Sequence, residues 1–185
     1  GIGVNSSIFS VVNAILFRPL PVDRPNELVD IYGHQSTSNT HETSSYPNYL
    51  VYRSQTTTLT DLIGYSNFFA HLSIEGSSDI VVGELVSDNY FKSLGVRPAL
   101  GRTFTSQEAS AFDASAYAVL SDRFWKTKFA GAPDVVGKTF KMNGIVYTVL
   151  GVAPPDFIGM IPAVTTQMWI PLAMEKQMPP AHWDG

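Results

Sequence analysis

The run KTFKMNGIVYTVLGVAPPDF, residues 138–157, constrains the fold of this chain most. Apolar and polar residues alternate on both sides of Asn143-Gly144. A two-residue Asn-Gly loop is the strongest short hairpin signal, because a type I′ turn needs positive φ at both of its central positions. A turn there pairs Met142 with Ile145 and Phe140 with Tyr147. Those four side chains share one face and offer a core surface.

The hairpin also decides what the preceding GAPDVVGKTF means. Its Gly-Lys-Thr ending, Gly137-Lys138-Thr139, imitates the close of a phosphate-binding loop. That loop needs four residues between its glycines, a strand before it and a helix after it. Here five residues separate Gly131 from Gly137, and Ala132 stands where the first glycine belongs. Pro133 has no amide to donate, and Asp134 would set a negative charge beside the phosphates. Upstream, AYAVLSDRFWKTKFAG reads as a strand running into a helix. Ser121 caps that helix, Asp122 favours its positive end, and Lys126 and Lys128 favour its negative end. Phe124, Trp125 and Phe129 face the core, and Gly131 closes the helix. Gly137-Lys138-Thr139 is therefore a turn into a strand and predicts no nucleotide site.

The remaining patterns predict a coarse α/β order. ELVDIYG (27–33) reads as a strand, followed by a polar loop to Ser44. Ser45 caps a helix over Tyr46 to Ser54 with Pro47 in its first turn, and Tyr49, Leu50 and Arg53 share a face. LIGYSNFFAHLSIEG and DIVVGELVS alternate as two strands joined by a polar turn at Gly76–Ser78, with Phe68 and Phe69 on opposite faces. SDNYFKSLG (87–95) is a short helix with Ser87 as cap, Asp88 in the first turn and Gly95 as stop. QMWIPL (167–172) is a short strand. The order predicts an α+β fold: a mixed, largely antiparallel sheet with helices packed on one face.

Residues 1–17 carry no charge. They are either an amphipathic helix packed on the domain or the outer end of a spanning helix, since a full span needs about 20 such residues. Arg18 then sits where a side chain would snorkel to the interface. Pro19 and Pro21 stop the helix.

Composition excludes several function classes. With a net charge of −4 and no Lys/Arg cluster, the chain does not fit a nucleic-acid binder. The absence of cysteine removes disulfides, zinc–thiolate sites and a thiol nucleophile. His34, His41 and Glu42 share one polar loop without the His-Glu-x-x-His spacing, and become ligands only if that loop folds back. His71 lies in a strand and His182 in the tail. No Gly-x-Ser-x-Gly elbow is present, and Ser87-Asp88 and Ser121-Asp122 read as helix caps. The spacing of Glu42, Asp61, Glu75, Asp79, Glu84, Glu108, Asp113 and Asp156 prefers no acid–base pair. The expectation is a non-enzyme, with no catalytic, cofactor-binding or metal-binding residue. Phe157 to Ile161, FIGMI, is an apolar loop that is either an exposed contact site or tucked under the sheet.

Four blocks carry a family resemblance: GIGVNSSIFSVVNAILFRPLP, NYFKSLGVRPALGRTF, VLSDRFWKTKFAGAPDVVGKTFKMNGIVYTVLGVAPPDF and MWIPL. In this order they resemble the periplasmic core domain of MacB-like ABC transporter permeases. These are FtsX-type permeases, and the variant is similar to the acidobacterial-type group. The resemblance runs from residue 1 to about 172. It implies that 1–18 are the outer end of a transmembrane helix and 19–172 a porter-like extracytoplasmic core domain. Residues 173–185 would lead into a second subdomain. It also implies a bacterial inner-membrane setting with this domain in the periplasm. The implied partners are a second permease unit, a separate cytoplasmic ATPase and, in macrolide-exporting members, a periplasmic adaptor. The other reading of the residues is a free-standing extracytoplasmic binding module or hydrolase.

Overall fold

The structure, a computed structural model, describes residues 22–31, 33–34, 41–42, 45–74, 77–110, 116–160 and 164–178. The expected membrane segment 1–18, His182 and part of the 173–185 tail lie outside them. Among the described residues no helix is long and apolar enough to cross a membrane.

In chain order the elements are β1 (Gly33–His34), β2 (His41–Glu42), α1 (Tyr46–Gln55), β3 (Tyr65–Ile74), β4 (Ser77–Val86) and α2 (Tyr90–Ser93). There follow β5 (Leu100–Gly101), α3 (Ser106–Ser110), β6 (Tyr117–Leu120), α4 (Asp122–Lys128), β7 (Thr139–Met142), β8 (Ile145–Val152) and β9 (Met168–Pro171). Short 3-10 helices cover Pro25–Glu27 and Leu172–Gln177. Over its described residues 27–31 the expected strand at 27–33 is not formed, and only Gly33 enters a strand, β1. The 3-10 turn at Pro25–Glu27 occupies its start, and Leu28, Val29 and Ile31 are exposed with no ladder partner on which to lay an apolar face.

Seven strands form one mixed sheet in the order β5-β8-β6-β9-β4-β3-β7. The β4–β9 and β6–β8 pairs are parallel and the other pairs antiparallel. Because β7 also pairs with β8, the strands β8-β6-β9-β4-β3-β7 close into a ring. Closure removes the open edges a flat sheet would present.

The predicted hairpin makes the seam. Asn143 and Gly144 take φ of 48° and 82°, as a type I′ turn requires. The register is Phe140↔Tyr147 and Met142↔Ile145. On its other edge β7 meets β3 through Leu72↔Met142 and Ser73↔Lys141. Asn143 then seals the join. Its own N–H donates to the His71 carbonyl at 2.9 Å, and its Oδ1 accepts the His71 N–H at 2.8 Å. One residue thus turns the hairpin and fastens it to His71, 72 residues away in sequence.

Strand alternation divides the apolar residues between two cores on opposite faces. Val81 and Leu85 of β4, Ala118 and Leu120 of β6, Val149 of β8 and Met168 and Ile170 of β9 belong to the first. Tyr46 and Tyr49 of α1 and Phe124 of α4 join them. Their neighbours Val86, Val119, Leu150 and Trp169 belong to the second, covered by Tyr90, Phe91 and Leu94 and by Ala109 of α3. Helices therefore lie on both faces of the sheet, whereas the order of elements suggested one. A sheet whose strands are apolar on both sides has to be covered on both. The first core runs on through Ala173, Met174 and Met178.

Local expectations hold where a single cap decides them. Ser121 Oγ accepts the Phe124 N–H at 3.3 Å, and Lys126 pairs with Asp122 at 2.8 Å. Ser87 does not cap α2. Asn89 occupies that position, because Ser87 is buried and accepts the Gly64 N–H at 3.0 Å. Leu50 is 43 % exposed, so the inward face of α1 is Tyr46 and Tyr49.

Candidate functional site

The second core encloses the one buried charged side chain among the described residues, Glu84, which has no solvent exposure. β4 places it there by register, opposite Asn67 on β3 and Trp169 on β9. Three side-chain donors converge on its carboxylate. Tyr90 Oη donates to Oε2 at 2.7 Å, Trp169 Nε1 to Oε2 at 3.0 Å, and Thr166 Oγ1 to Oε1 at 2.6 Å. A backbone hydrogen bond from Met160 adds a fourth. Burial pushes the Glu84 carboxyl above its ordinary range and outweighs these donors, which favour the charged form. Burial first, then the Glu84 charge, pushes the Tyr90 hydroxyl up strongly.

Aromatic rings wall the carboxylate. Phe157 lies 5.1 Å from Trp169, and Phe91 meets Trp169 edge-on at 5.7 Å. The apolar FIGMI loop is thereby answered for its described part. Phe157 and Met160 tuck against the sheet, while Ile158 is 48 % exposed. Gly159 makes the close approach possible, since a Cβ there would lie 2.2 Å from Glu84 Oε1. The arrangement ties β4, β9, α2 and the segment after β8 to one carboxyl group. All its donors point inward, so it can hold elements together but offers no group to a solvent-borne substrate.

A second polar cluster joins α1 to α2. Asn89 Nδ2 donates to Asp61 Oδ1 at 2.7 Å, and the Asn89 Oδ1 accepts from Ser87 at 2.7 Å and from Tyr49 at 3.3 Å. Burial raises the Asp61 carboxyl, but hydrogen bonds from Ser93, the Leu62 N–H and Asn89 overcome this and hold it below its ordinary value. Arg53 of α1 pairs with Asp88, which also accepts from Ser106 of α3.

Gly137-Lys138-Thr139 lies beside an open groove of about 830 Å3 between the end of α4 and the β3–β7 seam. Its amides are used internally: Gly137 N–H donates to the Val149 carbonyl and Lys138 N–H to that of Val135. A phosphate cradle needs such amides free.

The structure scatters most of the other candidates. His34 and His41 are register partners because the polar loop does fold back on itself as β1–β2, with Gly33 opposite Glu42. His71 is exposed on β3, opposite Ile80. Asp79 pairs with Lys128, and Glu108 forms a two-pronged pair with Arg102 at 2.6 and 2.7 Å. That guanidinium holds the Glu108 carboxyl down at about 2. Among the described residues no group of three or more His, Asp or Glu gathers to hold a metal. The signal that could have singled out Glu84 is its place between Val82 and Val86 on one strand face.

Comparison with known proteins gives a consistent picture. No curated protein matches the chain. Among solved structures, the periplasmic region of MacB from Actinobacillus actinomycetemcomitans is similar at 16 % identity and a TM-score of 0.60, over 77 % of this chain and 63 % of that one. The extracellular domain of the noncanonic ABC-type transporter YknZ from Gram-positive bacteria is similar at 14 % identity and a TM-score of 0.57, over 73 % of this chain and 66 % of that one. The chain spans less than two thirds of either structure's length, and likeness at such identity shows the fold. The family described as MacB-like periplasmic core domain matches residues 1–183. The chain belongs to the MacB-like periplasmic core domain family.

Proposed function

We propose that this chain is the extracytoplasmic domain of an ABC transporter permease in a bacterial inner membrane. In this reading it carries ATP-driven motion from a separate cytoplasmic ATPase to partners or substrates outside the bilayer, and performs no chemistry itself. Residues 1–18 would be the end of the membrane helix that delivers the motion, and 173–185 the path into a second subdomain. A paired permease unit and a periplasmic adaptor are the partners this role calls for.

The observation that supports the reading best is the closed strand ring with a core on each face. A part that relays displacement has to resist deforming. Packed interiors transmit strain because they have little free volume. The buried Glu84 carboxyl adds directional ties across four elements, and its hydrogen-bond partners are consumed in holding the fold.

The test is hydrogen exchange on the complete permease with its ATPase, nucleotide-free and trapped with ATP. The expected result is altered protection on surface segments of this domain, with β3, β4, β8 and β9 unchanged. Identical exchange over the whole domain in both states would sink the transmission role.

A further inference from the structure

The groove beside the β3–β7 seam brings lysines and apolar side chains together. Three of the chain's six lysines, Lys128, Lys138 and Lys141, line it, and among the described residues no Asp or Glu does. The chain as a whole carries a net charge of −4, and with two of the three lysines in ion pairs the uncompensated cation of this lining is Lys141. Lys128 leans on Asp79 and Lys138 on Asp134, both outside the lining. Lys141 has no carboxylate partner among the described residues.

The ladder sets the chemistry in a row. Lys141 on β7 has Ser73 as its register partner on β3 and Val146 on β8. Register partners point to the same face, so a hydroxyl, an ammonium and an aliphatic side chain stand side by side. Val146 is 57 % exposed, and Ile74 and Phe129, half-buried against the first core, border the groove, with Phe140 buried in that core beneath them. The Gly137 and Lys138 amides are already bonded to the Val149 and Val135 carbonyls, so they offer a nucleotide phosphate no cradle. A bare anion would satisfy the lysines and leave the apolar wall wet, and a neutral alkyl chain would do the reverse. Only a molecule with both features uses the whole lining.

We propose that this groove binds a single-chain anionic amphiphile of the fatty-acid type, its head on Lys141 and Lys138 and its alkyl chain along Val146, Phe129 and Ile74. The site needs no ATPase or second permease unit, so it stands or falls apart from the transmission role. Lysine heads at a surface groove are screened by salt, so binding weakens as ionic strength rises.

The test is calorimetric titration of the 185-residue chain with decanoate, kept monomeric in low salt, with acetate, inorganic phosphate, an oligo-glutamate peptide and decyl maltoside as comparisons. Saturable decanoate binding is expected, with none of the comparison molecules binding as tightly. Lys141→Glu should weaken it about tenfold or more, since a charge-assisted contact becomes a repulsion. Val146→Asp should weaken it similarly while circular dichroism stays native. The apolar segment 1–17 could take up alkyl chains, but such uptake would not respond to Lys141→Glu. The proposal is overturned by the absence of saturable decanoate binding or by equal binding in a folded Lys141→Glu chain. Tighter binding of the tail-less anions, of the acidic peptide or of decyl maltoside would overturn it too.

Discussion

Glu84 of β4 and Trp169 of β9 stand opposite each other in a parallel ladder, and the indole Nε1 donates to the Glu84 carboxylate at 3.0 Å. This contact sits inside an aromatic shell with no cation among its hydrogen-bond partners. Its consequences for stability follow from charge and burial.

The first concerns pH. Burial raises the native Glu84 value above its ordinary 4.5. The folded chain thus holds that proton more tightly than the unfolded chain does. The Glu84 contribution is fully present below about pH 4.5 and is lost as pH rises through the elevated native value. Glu108 acts in the opposite sense. With its native value at about 2, its contribution is present above 4.5 and lost as pH falls toward 2. Urea melts from pH 3 to 8 should show stability falling on the alkaline side in the parent chain. Glu84→Gln should flatten that limb and leave the acid limb, while Arg102→Ala should soften the acid limb. Glu84→Leu orphans three side-chain donors and should cost on the order of 3 kcal/mol or more at any of these pH values.

Gly159 offers a sharper test of how tightly the chain wraps that carboxylate. It has φ of 101°, and an added Cβ would lie 2.2 Å from Glu84 Oε1 and 2.4 Å from Thr166 Oγ1. Gly159→Ala should destabilise by about 2 kcal/mol or more, from backbone strain and from displacement of the Glu84 carboxyl. Gly137→Ala is the control. Its φ is 87° but nothing lies within 4 Å of an added Cβ, so only the backbone cost of about 1 kcal/mol applies. Equal losses in the two variants would contradict the packing described around Glu84.

How much of this was legible in the sequence depends on the range of the interaction. The Asn143-Gly144 turn, the Ser121 cap and the β3–β4 alternation each rest on residues close in sequence, and each appears in the structure. Ring closure has no such local signal, because Leu72↔Met142 joins strands whose meeting depends on the whole fold. Ser87 was misread because Ser87 and Asn89 are both good caps, and only the distant Gly64 amide decides between them. Glu84 looked like one acid among eight. Its partners Tyr90, Met160, Thr166 and Trp169 come from segments that no spacing rule connects.

The seam itself can be dissected. Gly144→Val forces a β-branched residue to φ near 82° and should cost on the order of 2 kcal/mol, lowering the melting temperature by several degrees. Asn143→Gly keeps the turn geometry but removes the acceptor for the His71 N–H. It should cost about 1 kcal/mol, with faster exchange at the His71 amide. An unchanged melting temperature in both variants would mean that the hairpin does not fasten the ring.

Tyr147 provides a prediction of opposite sign. Its ring stacks on Phe140 at 5.7 Å, while its buried hydroxyl has no hydrogen-bond partner among the described residues. Tyr147→Phe keeps the stacking and removes the desolvated hydroxyl, so the variant should be as stable as the parent or more stable by about 1 kcal/mol. A loss above that amount would reveal a hydrogen bond the packing does not account for.

The central claim is that this domain moves as one body and passes on displacement without deforming. Distances between spin labels measure that directly in the assembled permease with its ATPase. Labels at the exposed Lys92 and Val136 positions report within one domain, and labels at Lys92 alone report between paired permease units. On trapping with ATP the account predicts an unchanged distance within the domain and a shifted distance between units. A changed distance within the domain, or no shift between units, would contradict it.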